Sequence, residues 1–177
     1  MKFVNYVFKA RLPAHTVLDL KEIAESIPQS RYYSSKPSQV RIRCGRNGGT
    51  TCLIFARGGL RVMGGEVNSV AAAEKIMRNI LQKFTCALPV EITLQTITAT
   101  HSLPCDNINL QKFHKLIKSQ LDLEIFCALR IIEFGKVSVN LFSTGKMVLC
   151  GCQSVEQTQD IIGKIYNAYD KYINTDN

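Results

Sequence analysis

The chain repeats itself, and that constrains its fold more than any other feature. Phe55, Gly58 and Gly64 recur as Phe142, Gly145 and Gly151, each 87 residues on. Ile54/Leu141, Leu60/Met147 and Val62/Leu149 keep their apolar character at the same spacing. Four further blocks follow in the same order. Leu12-Pro13 matches Leu103-Pro104, Asp19-Leu20 matches Asn109-Leu110, Arg41-Ile42 matches Arg130-Ile131, and Ser69-Val70 matches Ser154-Val155. The offsets drift between 85 and 91, as small loop insertions would cause. A chain of 177 residues is long enough for one domain or two small halves. The repeat resolves it into tandem units, 1–88 and 89–177.

Each unit has the same predicted elements. Val4, Tyr6, Phe8, Ala10 and Leu12 alternate with Asn5, Val7, Lys9 and Arg11, the period of a strand with one buried face. Leu18, Leu20, Ile23, Ala24 and Ile27 then give a short amphipathic helix ended by Pro28. Three more strands are expected around 39–44, 50–56 and 59–64, with a glycine-rich turn at Gly45–Gly49. A longer helix runs from an N-cap at Ser69 to Phe84. The second unit copies this, and its last helix opens at Ser154 with Gln157 in the capping-box position. The expected fold is α+β: four antiparallel strands per unit, eight in one curved sheet, with helices on one face.

The face the helices leave bare follows from the two-residue period. In the first unit it carries Asn5, Val7, Lys9, Arg11, Gln39, Arg41, Arg43, Thr51, Leu53, Phe55, Arg61 and Met63. In the second it carries Thr96, Thr98, Thr100, Phe126, Ala128, Arg130, Ser138, Asn140, Phe142, Val148 and Cys150. A register slip of one residue would instead turn Phe55 and Phe142 into the core. The charge is equally one-sided. Residues 1–88 hold 14 Lys+Arg against 5 Asp+Glu, whereas residues 89–177 hold 8 against 9. The excess positive charge therefore sits in the first half, which points to an anionic partner, nucleic acid first, or else to a plain basic surface. Apolar side chains set among cations suit a ligand with hydrogen-bonding and apolar groups at its centre and anions at its rims. The DNA minor groove is such a ligand.

The segment Phe142-Ser143-Thr144-Gly145-Lys146-Met147-Val148, running on through Gly151 into a long helix, resembles the core signature of the TATA-box-binding protein family. Residues 53–65 resemble a weaker copy, and the resemblance extends over nearly the whole chain. It implies a saddle of two pseudo-symmetric repeats, whose curved eight-stranded sheet grips the minor groove beneath four helices on the convex face. By resemblance, Phe55 and Phe142 take the places of intercalating Phe residues. Asn5 and Val7 take those of the base-contacting Asn and Val, and Arg41 and Arg130 lie near phosphates. At the remaining contact positions the sequence departs from the family. Thr96 and Thr98 replace the second Asn and Val, Met63 and Cys150 replace Thr, and Arg61 replaces Val. The second Phe of each wedge falls near Ser35 and Glu124, with Tyr33 or Phe126 able to substitute if the loop register shifts.

The function implied is a general transcription factor that binds promoter DNA and seats transcription factor B-like and transcription factor A-like proteins and RNA polymerase. The loop Ile132–Lys136, through Glu133 and Phe134, is the expected partner contact. The nucleus, or a site of viral transcription, is the expected location. The alternative is a degenerate module of the same fold that works through protein contacts alone. An enzyme is not expected, because no nucleophile elbow, phosphate loop or paired-carboxylate motif occurs. No cofactor, metal, small-molecule substrate or membrane contact is expected either. His15, His101 and His114 lack ligand partners at suitable spacing, and the pair Cys150-x-Cys152, on one face of a strand, stands alone. Seven Cys without a Cys-x-x-Cys pair, and no signal-like N-terminus, point to a reducing, intracellular setting.

Overall fold

A computed structural model describes residues 1–14, 16–85, 89 and 91–175. His15, and Leu88 at the expected repeat boundary, lie outside the described residues. The chain divides into two compact units, Asn5–Gln95 and Thr96–Asn177 with Met1–Val4.

In the first unit β1 (Lys2–Arg11), β2 (Ser30–Tyr33), β3 (Gln39–Cys44), β4 (Thr50–Phe55) and β5 (Gly59–Gly64) form an antiparallel array in the order β2-β3-β4-β5-β1. Helices α1 (Leu20–Ser26) and α2 (Val70–Leu81) complete it. The Asp19 carboxylate accepts from the Lys21 and Glu22 amides, and the Ser69 hydroxyl accepts from Ala72, so each helix starts where a short polar side chain satisfies its free N–H groups. Strand residues Phe8, Val40, Ile42, Cys52, Ile54, Leu60 and Val62 are buried with Ile23, Ala73, Met77 and Leu81 of the helices.

The second unit repeats the plan with β6 (Ile92–Ser102), β7 (Ser119–Gln120), β8 (Ala128–Ile131), β9 (Ser138–Phe142) and β10 (Lys146–Cys152), in the order β6-β10-β9-β8-β7. Helices α3 (Leu110–His114) and α4 (Val155–Thr175) complete it. The Ser154 hydroxyl caps the Gln157 amide at 3.1 Å, and the Gln157 side chain reaches back to the Gln153 amide at 2.7 Å. The expected capping box is therefore present, displaced by one residue at its return bond. Phe113, Leu129, Leu141, Met147 and Ile165 fill this core.

Each unit has five strands where the sequence predicts four. The added strands, β2 and β7, are short edge strands of four and two residues. Such lengths leave no alternation to read, and short polar edges are how sheets end without inviting further pairing.

Candidate nucleic-acid interface

Strand register arranges the bare face of the first unit in rows. Lys9 sits opposite Arg61, Arg61 opposite Leu53, Leu53 opposite Arg41, and Arg41 opposite Arg31. Four of these five residues are cations, in a row about 19 Å long at the usual strand spacing. Like charges directly opposite one another disfavour the free sheet, and a bound polyanion would relieve that repulsion. A second row runs Val7, Met63, Thr51, Arg43. From Phe8 onward the alternation holds: Phe8, Ala10, Val40, Ile42, Ile54 and Val62 are buried, whereas Lys9, Arg11, Arg43 and Arg61 are exposed; Val4, expected on the buried face, is 43% exposed.

The second unit reproduces the rows without the charge. Thr100, Val148, Asn140, Arg130 and Gln120 stand at the positions of Lys9, Arg61, Leu53, Arg41 and Arg31. Only Arg130 is cationic, and its Nε donates to the Ser138 hydroxyl at 3.2 Å. Thr98 faces Cys150, which faces Ser138. Thr96 is half-buried at the place of Asn5.

Aromatic groups differ between the units. Phe142 meets Phe126 edge-on, with ring centroids 6.2 Å apart and planes at 65°. Phe126 is 42% exposed. Glu124, near which the family's second Phe was expected, lies in a turn. There the Asp122 carboxylate accepts from the Glu124 and Ile125 amides, and the turn delivers Phe126 two residues later. In the first unit the Arg61 guanidinium lies 5.3 Å from the Phe55 ring centre. Tyr33 is paired through Gln39 in the row of Phe55. Its hydroxyl accepts a hydrogen bond from Arg41, and its ring lies under both Arg41 and Arg31. A cleft of about 650 Å³ beside Phe55 is lined by Lys9, Arg11, Lys36, Arg57 and Arg61, with no carboxylate among its lining residues.

Asn5 is hooked into the sheet: its Oδ1 accepts from the Gly64 amide at 3.2 Å. Gly64 has φ of 125°, and a Cβ there would lie 2.3 Å from the Gly49 carbonyl oxygen, so only glycine fits.

Ala128 lies on the bare face as expected, opposite Phe142 and in one cavity lining with Phe126, Arg130 and Asn140, but it is only 2% exposed. One further expected placement is corrected. Cys150 and Cys152 do not share a face. A bulge at Gly151 shifts the register, so Cys150 stays half-exposed and Cys152 is fully buried. Glu133 and Phe134 lie in the β8–β9 turn, Glu133 exposed and Phe134 half-buried. Two residues relevant to the face escaped the sequence reading: Arg31, because β2 was not foreseen, and Lys36.

Burial pushes the Cys52 thiol well above its ordinary value, and burial with Glu66 nearby raises that of Cys44. His101 shares a hydrogen bond with the Tyr166 hydroxyl at 3.1 Å, and His114 one with the Ser119 hydroxyl at 2.7 Å. Among the described residues no cluster of His, Cys, Asp or Glu is arranged to hold a metal, and no helix is long and apolar enough to cross a membrane.

The chain matches the family model described as transcription factor TFIID (or TATA-binding protein, TBP) twice, over residues 1–87 and 84–172. It is 33% identical over 159 residues to the TATA-box-binding protein of Tetrahymena thermophila, a match covering 85% of this chain and 63% of that relative. Among solved structures, Methanococcus jannaschii TBP shares the fold, with a TM-score of 0.78 over 96% of this chain and 98% of that one at 24% identity. The α+β fold expected from the repeat is thus the fold of that protein. The chain belongs to the TATA-binding-protein family, a family of transcription factors and not of enzymes.

Proposed function

We propose that the chain binds promoter DNA in the minor groove through the bare strand faces of its two repeats, 1–88 and 89–177, and helps assemble a transcription initiation complex in the nucleus. One observation carries this reading: the row of Lys9, Arg61, Arg41 and Arg31 across a sheet face that no helix covers, in a member of this family. A groove walled by sugars, floored by acceptors and rimmed by phosphates matches such a face.

In this reading Lys9, Arg11, Arg41, Arg43, Arg61 and Arg130 neutralise phosphates or enter the groove. Val7, Leu53, Met63 and Val148 pack on the sugar walls. The Oδ1 of Asn5 is taken by Gly64, which leaves the amide N–H donors for acceptors on the groove floor. Thr96, Thr98 and Cys150 supply the weaker hydrogen-bonding centre of the second repeat. Phe55 and Phe142 stand at base steps, and Phe126 joins Phe142.

Transcription factor B-like and A-like proteins and RNA polymerase are the proposed partners. Glu133 and Phe134 form part of the proposed partner surface. Counting β7 moves the loop between the second and third strands of the repeat to 121–127, where Leu123 and Ile125 are 51% and 82% exposed beside Asp122 and Glu124. That loop extends the surface.

A gel-shift titration of the chain against mixed duplexes across ionic strength tests the DNA reading. Affinity is expected to fall steeply with salt, with a log–log slope near −0.9 per neutralised phosphate. No shift at low salt, or an affinity indifferent to salt, overturns it.

A further inference from the structure

The two repeats carry different tools at corresponding positions. In the second unit, two aromatic rings meet edge-on at Phe126 and Phe142, and the residue at the place of Arg61 is the uncharged Val148. Among the described residues no cation lies over either of those rings as Arg61 lies over Phe55. In the first unit the Phe55 ring packs along Gly59, 3.5 Å from where a Cβ would stand, and Arg61 covers it. The other aromatic of that row, Tyr33, is held by Arg41 and Arg31. No aromatic ring contacts Phe55 among the described residues.

We propose that only the second unit pries a base step apart, with Phe126 and Phe142 as one wedge. The first unit instead clamps an unkinked, narrow stretch of minor groove with Arg61 and Arg41. This rests on the minor-groove reading above and adds a polarity to it. A base cannot stack on Phe55 while Arg61 occupies the ring. Releasing Arg61 into the groove, where it meets acceptors and phosphates, gives up the stack without freeing a second ring to share the wedge. Narrow A-tract grooves concentrate negative potential and attract inserted Arg, whereas wedge insertion needs a flexible pyrimidine–purine step and widens the groove. The two units therefore read opposite mechanical properties of DNA. The preferred duplex has a stiff A-tract beneath the first unit and a deformable step beneath the second.

The test uses the full chain and duplexes carrying a fluorescent adenine analogue, scanned one position at a time, whose emission rises on unstacking. One bright step is expected per bound duplex. Phe142→Ala and Phe126→Ala each remove it, while Phe55→Ala and Phe55→Leu leave it in place. Arg61→Ala weakens binding and lowers the salt slope by about one, with the bright step retained. Circular dichroism melts confirm that each variant is folded. Two separated bright steps, one of them lost in Phe55→Ala and Phe55→Leu, overturn the proposal while DNA binding stands. A wild-type chain that shifts no duplex overturns both.

Discussion

Phe126, delivered by a turn, meets the strand residue Phe142 edge-on at 6.2 Å, although neither ring is buried in the core. Aromatic pairs of this geometry interact by about 0.5–1.5 kcal/mol beyond the area they bury. A double-mutant cycle of Phe126→Ala and Phe142→Ala, read by urea denaturation, is expected to return a coupling in that range. The Phe126→Ala variant alone should cost far less than Ile54→Ala, a fully buried core change expected to cost about 2–5 kcal/mol. A coupling of zero would mean that the rings do not meet in solution.

The residues that were legible, and those that were not, differ in one physical respect. Within the strands of the first unit that are five residues or longer, the two-residue period assigns side chains to their faces, and Lys9, Arg41, Leu53, Phe55 and Arg61 fall where the period puts them; Val4, near the start of β1, is exposed against it. The caps at Ser69 and Ser154 were legible because the chemistry of a helix start is local. What the pattern hides is any point where the count of residues changes. The turn closed by the Phe126 amide on the Asp122 carbonyl at 2.9 Å hides the partner of Phe142. The bulge at Gly151 separates Cys150 from Cys152, and the four residues of β2 are too few to announce Arg31.

Gly64 is the position where backbone conformation and space both demand glycine. Gly64→Ala places a methyl 2.3 Å from the Gly49 carbonyl oxygen at a φ of 125°. We expect a loss of more than about 2 kcal/mol, from strain plus disruption of the β4–β5 pairing. Gly65→Ala, next door, meets no atom within 4 Å. It is expected to change stability by less than about 1 kcal/mol. Thermal melts of the two variants make the comparison directly.

Asn5 separates a folding role from a binding role. Asn5→Asp keeps an oxygen to accept from Gly64 but loses the amide donors and adds a negative charge. Asn5→Leu loses the hydrogen bond as well, at a cost of about 1 kcal/mol. The expected result is a near-normal melting temperature for the Asp variant, a lower one for Leu, and weakened duplex binding for both. Duplex affinity unchanged in the Asp variant would remove Asn5 from the interface.

The row of cations makes a graded prediction. Lys9→Ala, Arg61→Ala and Arg41→Ala each remove one charge from it. If each group neutralises a phosphate, every substitution lowers the log–log salt slope by about 0.9. Thr100→Ala and Val148→Ala, at the places of Lys9 and Arg61 in the second unit, leave the slope unchanged. Equal slopes across all five variants would show that the row does not touch phosphates.

His101 gives the chain a dependence on pH that is independent of DNA. Its ring shares a hydrogen bond with the Tyr166 hydroxyl of α4, and the two rings lie 5.7 Å apart. Partial burial first, and the positive charge of the chain's amino terminus second, lower its pKa below the ordinary 6.5. The unfolded chain therefore takes up the proton at a higher pH than the folded one. The stabilising contribution is fully present above about pH 6.5 and is lost as pH falls through the lowered folded value. The melting temperature should drop on acidification below that point, and a His101→Gln variant, which cannot be protonated there, should flatten the drop. Identical pH profiles for the wild type and the variant between pH 7 and pH 5 would exclude this coupling.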